Sequence, residues 1–170
     1  MKKIILIVGP SGSGKDSLIK YVSDKIDINV VKRYITRKPD NNEFNYFVDM
    51  HGFEVLTRSG FFVSTWEAYG NFYGIPIHFL KNGKNIISVS RTAIQDFEKR
   101  FNDVITVLVT ADKETVLKRL NLRKREDQNQ IEQRLMRHTI NYQAKNTVVF
   151  KNEDSFDVAK EKFLKLIEGL

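Results

Sequence analysis

Gly9-Pro10-Ser11-Gly12-Ser13-Gly14-Lys15 is the stretch on which the reading of this chain turns. It has the spacing G-x-x-x-x-G-K, in which glycines let successive backbone amides turn inward and wrap an anion. The bare pattern arises by chance in about 5% of chains of this length, so its flanks decide. Before it, Lys3 to Val8 reads as a buried parallel strand, a continuous apolar run ending at Gly9. After it, Leu18, Ile19, Val22 and Ile26 recur at helical spacing. Strand, loop and helix in that order aim the helix's amino end, with its partial positive charge, at the anion. The combination predicts a cradle for nucleotide phosphates, with Lys15 reaching the β- and γ-phosphates. Asp16 stands where a Ser or Thr usually places a hydroxyl on Mg²⁺. A carboxylate is a stronger ligand of that ion, but a negative charge also suits a helix start, and both readings stay open.

Outward from the loop, strand and helix patterns alternate. Asn29 to Val31 reads as a short second strand. Arg33 to about Gly83 is irregular and rich in aromatics and glycine, with strand-like pieces such as Phe61 to Trp66. Asn85 to Val89 and Val104 to Val109 read as strands, and Thr92 to Phe101 as helix. Asp112 suits the cap of a helix with Val116, Leu117 and Leu120 on its inner face. A charged stretch, Arg123 to Gln130, precedes another helix around Ile131 to Tyr142, and Thr147 to Phe150 is a last strand. Phe156, Ala159, Phe163, Leu166, Ile167 and Leu170 mark an amphipathic closing helix. This order predicts one α/β domain over 1–170, a parallel sheet covered on both faces. Ligands of such sheets bind beyond the carboxyl ends of the strands, where Gly9 to Asp16, Ser88 to Arg91 and Thr110 to Asp112 would gather.

The composition is ordinary for a globular chain of 170 residues, 41% hydrophobic and 29% charged. No apolar run approaches the ~20 residues that span a bilayer. Met1 to Val8 carries two lysines and an apolar run, but glycines and Lys15 follow without a small-residue cleavage site, so a first strand is expected and not a signal peptide. The absence of cysteine excludes disulfides and thiolate metal sites and fits the cytoplasm. His51, His78 and His138 show no metal spacing. A net charge of +7 suits either a nucleic-acid partner or substrates that carry several phosphates. The phosphate loop favours the second, with no nucleic acid and no membrane as partners.

Three landmarks carry a resemblance: Val8 to Lys15, then Ile35-Thr36-Arg37-Lys38-Pro39, then Gly70-Asn71-Phe72-Tyr73-Gly74. In this order they resemble guanylate kinases, and nearly the whole chain aligns. The resemblance implies a three-layer α/β/α P-loop NTPase fold with an acceptor-binding insertion at about 33–83, an arginine-bearing lid at about 120–134, and ATP and Mg²⁺ as cofactors. The positions that read guanine differ, however. Arg33, Ser64 and Ile75 stand where guanylate kinases carry Ser, Glu and Ser or Thr, and Asn45 and Asp40 replace a tyrosine and an arginine that hold the GMP phosphate. A buried guanine edge without partners can cost ~10⁴ in discrimination, which argues against GMP as the main acceptor.

The departures resemble one subfamily, the ribose 1,5-bisphosphate phosphokinases. Its features are matched by Asp16 after the lysine, Arg33-Tyr34-Ile35-Thr36-Arg37, Glu43-Phe44-Asn45, Thr65 to Pro76, Ser90-Arg91 and Arg123-Lys124-Arg125-Glu126-Asp127. The implied reaction takes ribose 1,5-bisphosphate and ATP to 5-phosphoribosyl 1-diphosphate and ADP. The implied nucleotide site is Gly9, Pro10, Ser11, Gly12, Ser13, Gly14, Lys15, Asp16 and Ser17, with Arg119, and Asn152 beside the adenine. Arg37 would hold an acceptor phosphate by a bidentate fork. Arg33, Tyr73, Ser90 and Arg91 complete the acceptor side, while Arg123 and Arg134 join Lys15 and Arg37 in transition-state contacts. Against these stand blander readings: surface ion pairing for Arg33 and Arg91, core packing for Tyr73, and a solvated helix face for the lid arginines. The strand-end aspartate that usually gives a second Mg²⁺ anchor is absent, with Ser88 and Ser90 there instead. Two alternatives remain at this level: another nucleoside monophosphate kinase, or a non-catalytic binding module of the same fold, which commonly lacks the loop lysine.

Overall fold

The computed structural model describes residues 1–38, 45–112, 114–116 and 142–170. Five parallel strands form the central sheet in the order β2-β7-β1-β8-β9. They are β1 (Lys2–Val8), β2 (Asn29–Val30), β7 (Gly83–Ser88), β8 (Val104–Thr110) and β9 (Thr147–Lys151). β1 lies between β7 and β8, with Ile5 opposite Ile86 on one side and Ile105 on the other. Ile4 to Val8 are fully buried, as the continuous apolar run requires.

Alternate residues of β1 serve two cores. Ile5 and Ile7 pack with Leu18, Ile19 and Val22 of α1 (Lys15–Lys25) and with Ala159, Phe163 and Ile167 of the closing helix α4 (Phe156–Gly169). Ile4, Leu6 and Val8 pack on the other face, with Ile94 and Phe97 of α3 (Ile94–Arg100) and with a second sheet. The result is the layered P-loop α/β architecture. Two lysines secure the carboxyl end of α4: Lys84 Nζ donates to Ile167 O at 3.0 Å and Glu168 O at 2.8 Å, and Lys3 Nζ donates to Leu170 O. Cations there oppose the partial negative charge of the helix end.

The largest difference from the sequence reading falls between Arg33 and Gly83. That stretch is a second, four-stranded sheet of order β4-β3-β6-β5, plus a helix. The strands are β3 (Tyr34–Ile35), β4 (Tyr46–Phe47), β5 (Phe62–Ala68) and β6 (Asn71–Pro76), and the helix is α2 (Met50–Arg58). Asp49 caps α2 by accepting from Gly52 N at 2.7 Å. Phe53 is its one buried side chain, and at nine residues the helix is too short to stand out from the irregular stretch around it. The expected helix Thr92 to Phe101 divides into a 3₁₀ turn at Arg91–Ala93 and α3. Among the described residues no helix is long and apolar enough to cross a membrane. The lid at about 120–134 lies outside the described residues.

Candidate active site

The loop leaves β1 at Gly9 and delivers the chain to α1 at Lys15. Gly14, with φ +89°, is the left-handed residue that turns the chain into the helix. Ser13 N donates to Pro10 O at 3.3 Å, closing a turn within the loop. Lys15 Nζ lies across the curve, donating to Gly9 O and Pro10 O, each at 2.8 Å. Asp16 and Ser17 are exposed on the first turn of α1, where backbone N–H groups have no helical partner. Asn152 comes up from the end of β9 and is 3% exposed. Its Nδ2 donates to Ser13 O at 2.7 Å, so it contacts the loop's own backbone.

The side expected to take the acceptor is ordered by strand register. Ile35 pairs with Tyr73 and Tyr34 with Gly74 across β3 and β6, while Ser64 pairs with Ile75 and Trp66 with Tyr73 across β6 and β5. Arg33 precedes Tyr34 and therefore continues the row that contains Ile75 and Ser64. These are the three positions that depart from the guanine-reading pattern, and the register places them side by side. Ile75 is fully buried in the core. Ser64 is also buried, and its Oγ donates to Asp96 Oδ2 of α3 at 2.6 Å.

Arg33 has Nε 3.4 Å from Asn45 Oδ1 and Nη1 3.4 Å from Ser88 O, long hydrogen bonds that aim the guanidinium at the carboxyl end of β7. It also lies 5.8 Å from the centroid of the Tyr73 ring, which stacks on Trp66 at 5.5 Å and 3°. Tyr73 is therefore packed on Trp66 and lies against Arg33, which is the packing reading given for it. Arg37 follows Thr36, which is fixed to β6 twice: Thr36 N donates to Phe72 O at 3.1 Å, and Phe72 N to Thr36 Oγ1 at 2.9 Å. The arginine thus extends from an anchored backbone.

Ser90 caps the 3₁₀ turn, with its Oγ accepting from Thr92 Oγ1 at 3.0 Å. Burial pushes the Arg91 guanidinium below the ordinary arginine range. Arg91 lines a cavity of about 350 Å³ with Thr92, Gln95, Tyr142 and Gln143. A larger cavity of about 650 Å³ lies at the other end of the sheet, beside Lys2 and Asn82, with the whole of β1 between it and the loop. Asp112 is a helix cap, as expected. It accepts from Thr115 N and Thr115 Oγ1, each at 2.7 Å, and those bonds hold its carboxyl below the usual carboxylate value. Arg119, Arg123, Arg134, Asp40, Glu43 and Phe44 lie outside the described residues. Sequence reasoning missed Asp96, and nothing in its local pattern marks it as the partner of Ser64.

No family model matches the chain. Individual proteins do. A ribose 1,5-bisphosphate phosphokinase PhnN of Rhizobium etli is 32% identical over 98% of this chain and 90% of its own length. One of Agrobacterium fabrum is 34% identical over 81% of this chain and 80% of its own. Among solved structures, the guanylate kinase of Anaplasma phagocytophilum superposes with a TM-score of 0.67 at 20% identity, covering 99% of this chain and 85% of that one. A sugar kinase from Janibacter superposes with a TM-score of 0.55 at 14% identity, which likewise supports the fold alone. The chain belongs to the ribose 1,5-bisphosphate phosphokinase family, ATP-dependent phosphotransferases on the guanylate kinase-like P-loop fold.

Proposed function

We propose that the protein transfers the γ-phosphoryl group of ATP to ribose 1,5-bisphosphate. An oxygen of the acceptor's 1-phosphate attacks the γ-phosphorus, the bond from that phosphorus to the β–γ bridging oxygen breaks, and 5-phosphoribosyl 1-diphosphate and ADP result. The observation that carries the proposal is the row Arg33, Ile75 and Ser64. It offers the Arg33 cation, while Ile75 is withdrawn wholly into the core and the buried Ser64 hydroxyl is already bonded to Asp96, where a guanine edge would require exposed polar partners. A base placed there leaves polar groups unpaired, whereas a sugar bisphosphate gains a cation. The names of the relatives support the same acceptor.

Phosphoryl transfer depends on positioning and charge neutralisation, and the chain's residues divide that work. The loop amides and Lys15 hold the nucleotide phosphates. Arg37 holds one acceptor phosphate by a bidentate fork, and Arg33 and Arg91 are assigned the other, with Ser90 and Tyr73 beside them. Arg119, Arg123 and Arg134 are assigned to the triphosphate from the family resemblance alone.

Asp16 fits a Mg²⁺ that arrives with ATP. Among the described residues no group of three His, Cys, Asp or Glu forms a cage. A nucleotide-borne Mg²⁺ needs only one or two carboxylates beside phosphates and water, and Asp16 is exposed at the loop's edge. The ion neutralises phosphate charge when bound. Asp16→Ala should raise the Mg²⁺ concentration for half-maximal rate about tenfold, the equivalent of one charge-assisted contact. Asp16→Ser should restore much of the loss, because a hydroxyl does this work in related loops. Identical Mg²⁺ titrations for all three proteins would leave Asp16 as a helix cap.

The acceptor is tested by steady-state rates with ribose 1,5-bisphosphate, GMP, dGMP and AMP, with products identified by phosphorus NMR. We expect kcat/KM for the sugar bisphosphate to exceed that for GMP by at least ~10³, about 4 kcal/mol, within what buried unpaired groups supply. Arg33→Ala should lower the rate with the sugar and leave residual GMP turnover unchanged. Efficient GMP phosphorylation without 5-phosphoribosyl 1-diphosphate would transfer the assignment to a nucleoside monophosphate kinase. Silence toward every acceptor would favour a binding module, against which Lys15 and Arg37 already argue.

A further inference from the structure

Asn152 follows β9 directly, and its backbone N donates to Thr110 O at 2.7 Å, which fixes the residue at the carboxyl end of the central sheet. From there the buried side chain reaches 139 residues back in sequence to donate to Ser13 O at 2.7 Å. Ser13 is itself fully buried, and Lys15 Nζ lies 3.5 Å from its Oγ. The Ser13 carbonyl and the Gly14 N–H belong to one peptide plane. In a trans unit the two point in opposite directions, and the chain has no cis peptide among the described residues. A buried donor that holds the Ser13 carbonyl therefore turns the Gly14 N–H the opposite way, away from Asn152. Gly14 has φ +89° and can adopt the opposite peptide orientation as readily, so the glycine does not choose between them.

We propose that Asn152 is a positioning residue of the phosphate loop: its amide selects the Ser13–Gly14 peptide orientation in which the N–H serves the nucleotide phosphates. This rests on the reading of Gly9 to Lys15 as the nucleotide phosphate site, and it is independent of which acceptor the enzyme uses. It also assigns Asn152 to phosphate binding, where the family resemblance suggested the adenine.

The test is calorimetric titration of the full chain with ADP and, separately, with inorganic pyrophosphate, which has no base. Asn152→Ala should weaken both ligands alike, each about tenfold, the worth of one oriented donor to a charged group. Asn152→Asp should weaken them further, because a carboxylate cannot donate to Ser13 O and repels phosphate. Phe150→Leu is the control for simple destabilisation: Phe150 packs edge-on against Phe163 at 5.0 Å and is bonded to no residue of the loop by its side chain. It should lower the melting temperature and leave both affinities unchanged. If Asn152→Ala does not fold, Asn152→Ser, titrated well below its own melting midpoint, takes its place with the same expectation. Weakened ADP with unchanged pyrophosphate would make Asn152 an adenine contact and overturn the proposal. So would affinities within twofold of the parent, or equal losses from Phe150→Leu. If the unaltered protein binds neither ligand, the reading of the loop itself fails, an outcome distinct from all of these.

Discussion

Lys15→Ala should lose about a thousandfold in kcat with its melting curve unchanged, the scale of removing a preorganised partner of transition-state charge. The lysine sits on the first residue of α1, and its ammonium is already drawn across the loop by Gly9 O and Pro10 O. On the proposed reading of the loop, those carbonyls hold the cation close to where the β- and γ-phosphates would lie, so little reorganisation is expected when the reaction occurs. The same contacts contribute little to the fold, because Lys15 is partly exposed and its two bonds run to carbonyls of its own loop. The measurement is a steady-state rate with ATP and the preferred acceptor, beside a thermal melt. Activity within tenfold of the parent, with a normal melt, would remove Lys15 from the catalytic role. Retention of positive charge in Lys15→Arg should recover only part of the rate, since a planar fork does not reproduce a compact ammonium between two carbonyls.

The central sheet was legible in the sequence because a parallel strand buried on both faces is written as an uninterrupted apolar run. Val104 to Val109 was expected as strand, and β8 runs Val104–Thr110. Asn85 to Val89 was expected, and β7 runs Gly83–Ser88. The second sheet was not legible as a sheet. β3 and β4 are two residues each, and Tyr46 and Phe47 are 42% and 45% exposed, so neither alternation nor burial announces them. Their pairing is set by contacts distant in sequence, which local periodicity does not encode. The same distinction runs through the site. The loop is local and legible from spacing, whereas Asn152 with Ser13, and Ser64 with Asp96, meet across 139 and 32 positions. The resemblance singled out Asn152 and Ser64 without naming the groups they bond.

Gly9→Ala is expected to damage fold and loop together, for a reason that can be separated into two parts. A Cβ on Gly9 would stand 2.1 Å from Val109 O and 3.1 Å from the Val109 carbonyl carbon. That oxygen belongs to β8, held between β1 and β9, so it cannot swing aside as a side chain would. Gly9 also has φ +147°, which an L side chain rarely adopts. Backbone strain of ~1–3 kcal/mol and overpacking of ~1–3 kcal/mol add to about 4 kcal/mol. For a domain of this size that lowers the melting temperature by about 12 °C. Gly60→Ala isolates the first part, since Gly60 has φ +71° and nothing within 4 Å of the added Cβ. It should cost only about 1 kcal/mol, or about 3 °C. A loop that escapes the clash by moving away from β8 would spare some stability, but it would carry Ser13 off the Asn152 amide and weaken ADP binding. The pair of melts and one ADP titration therefore decide the matter. Equal melting shifts for the two alanines, with ADP affinity unchanged in both, would show that the close approach of Gly9 to β8 is not what sets the loop's position.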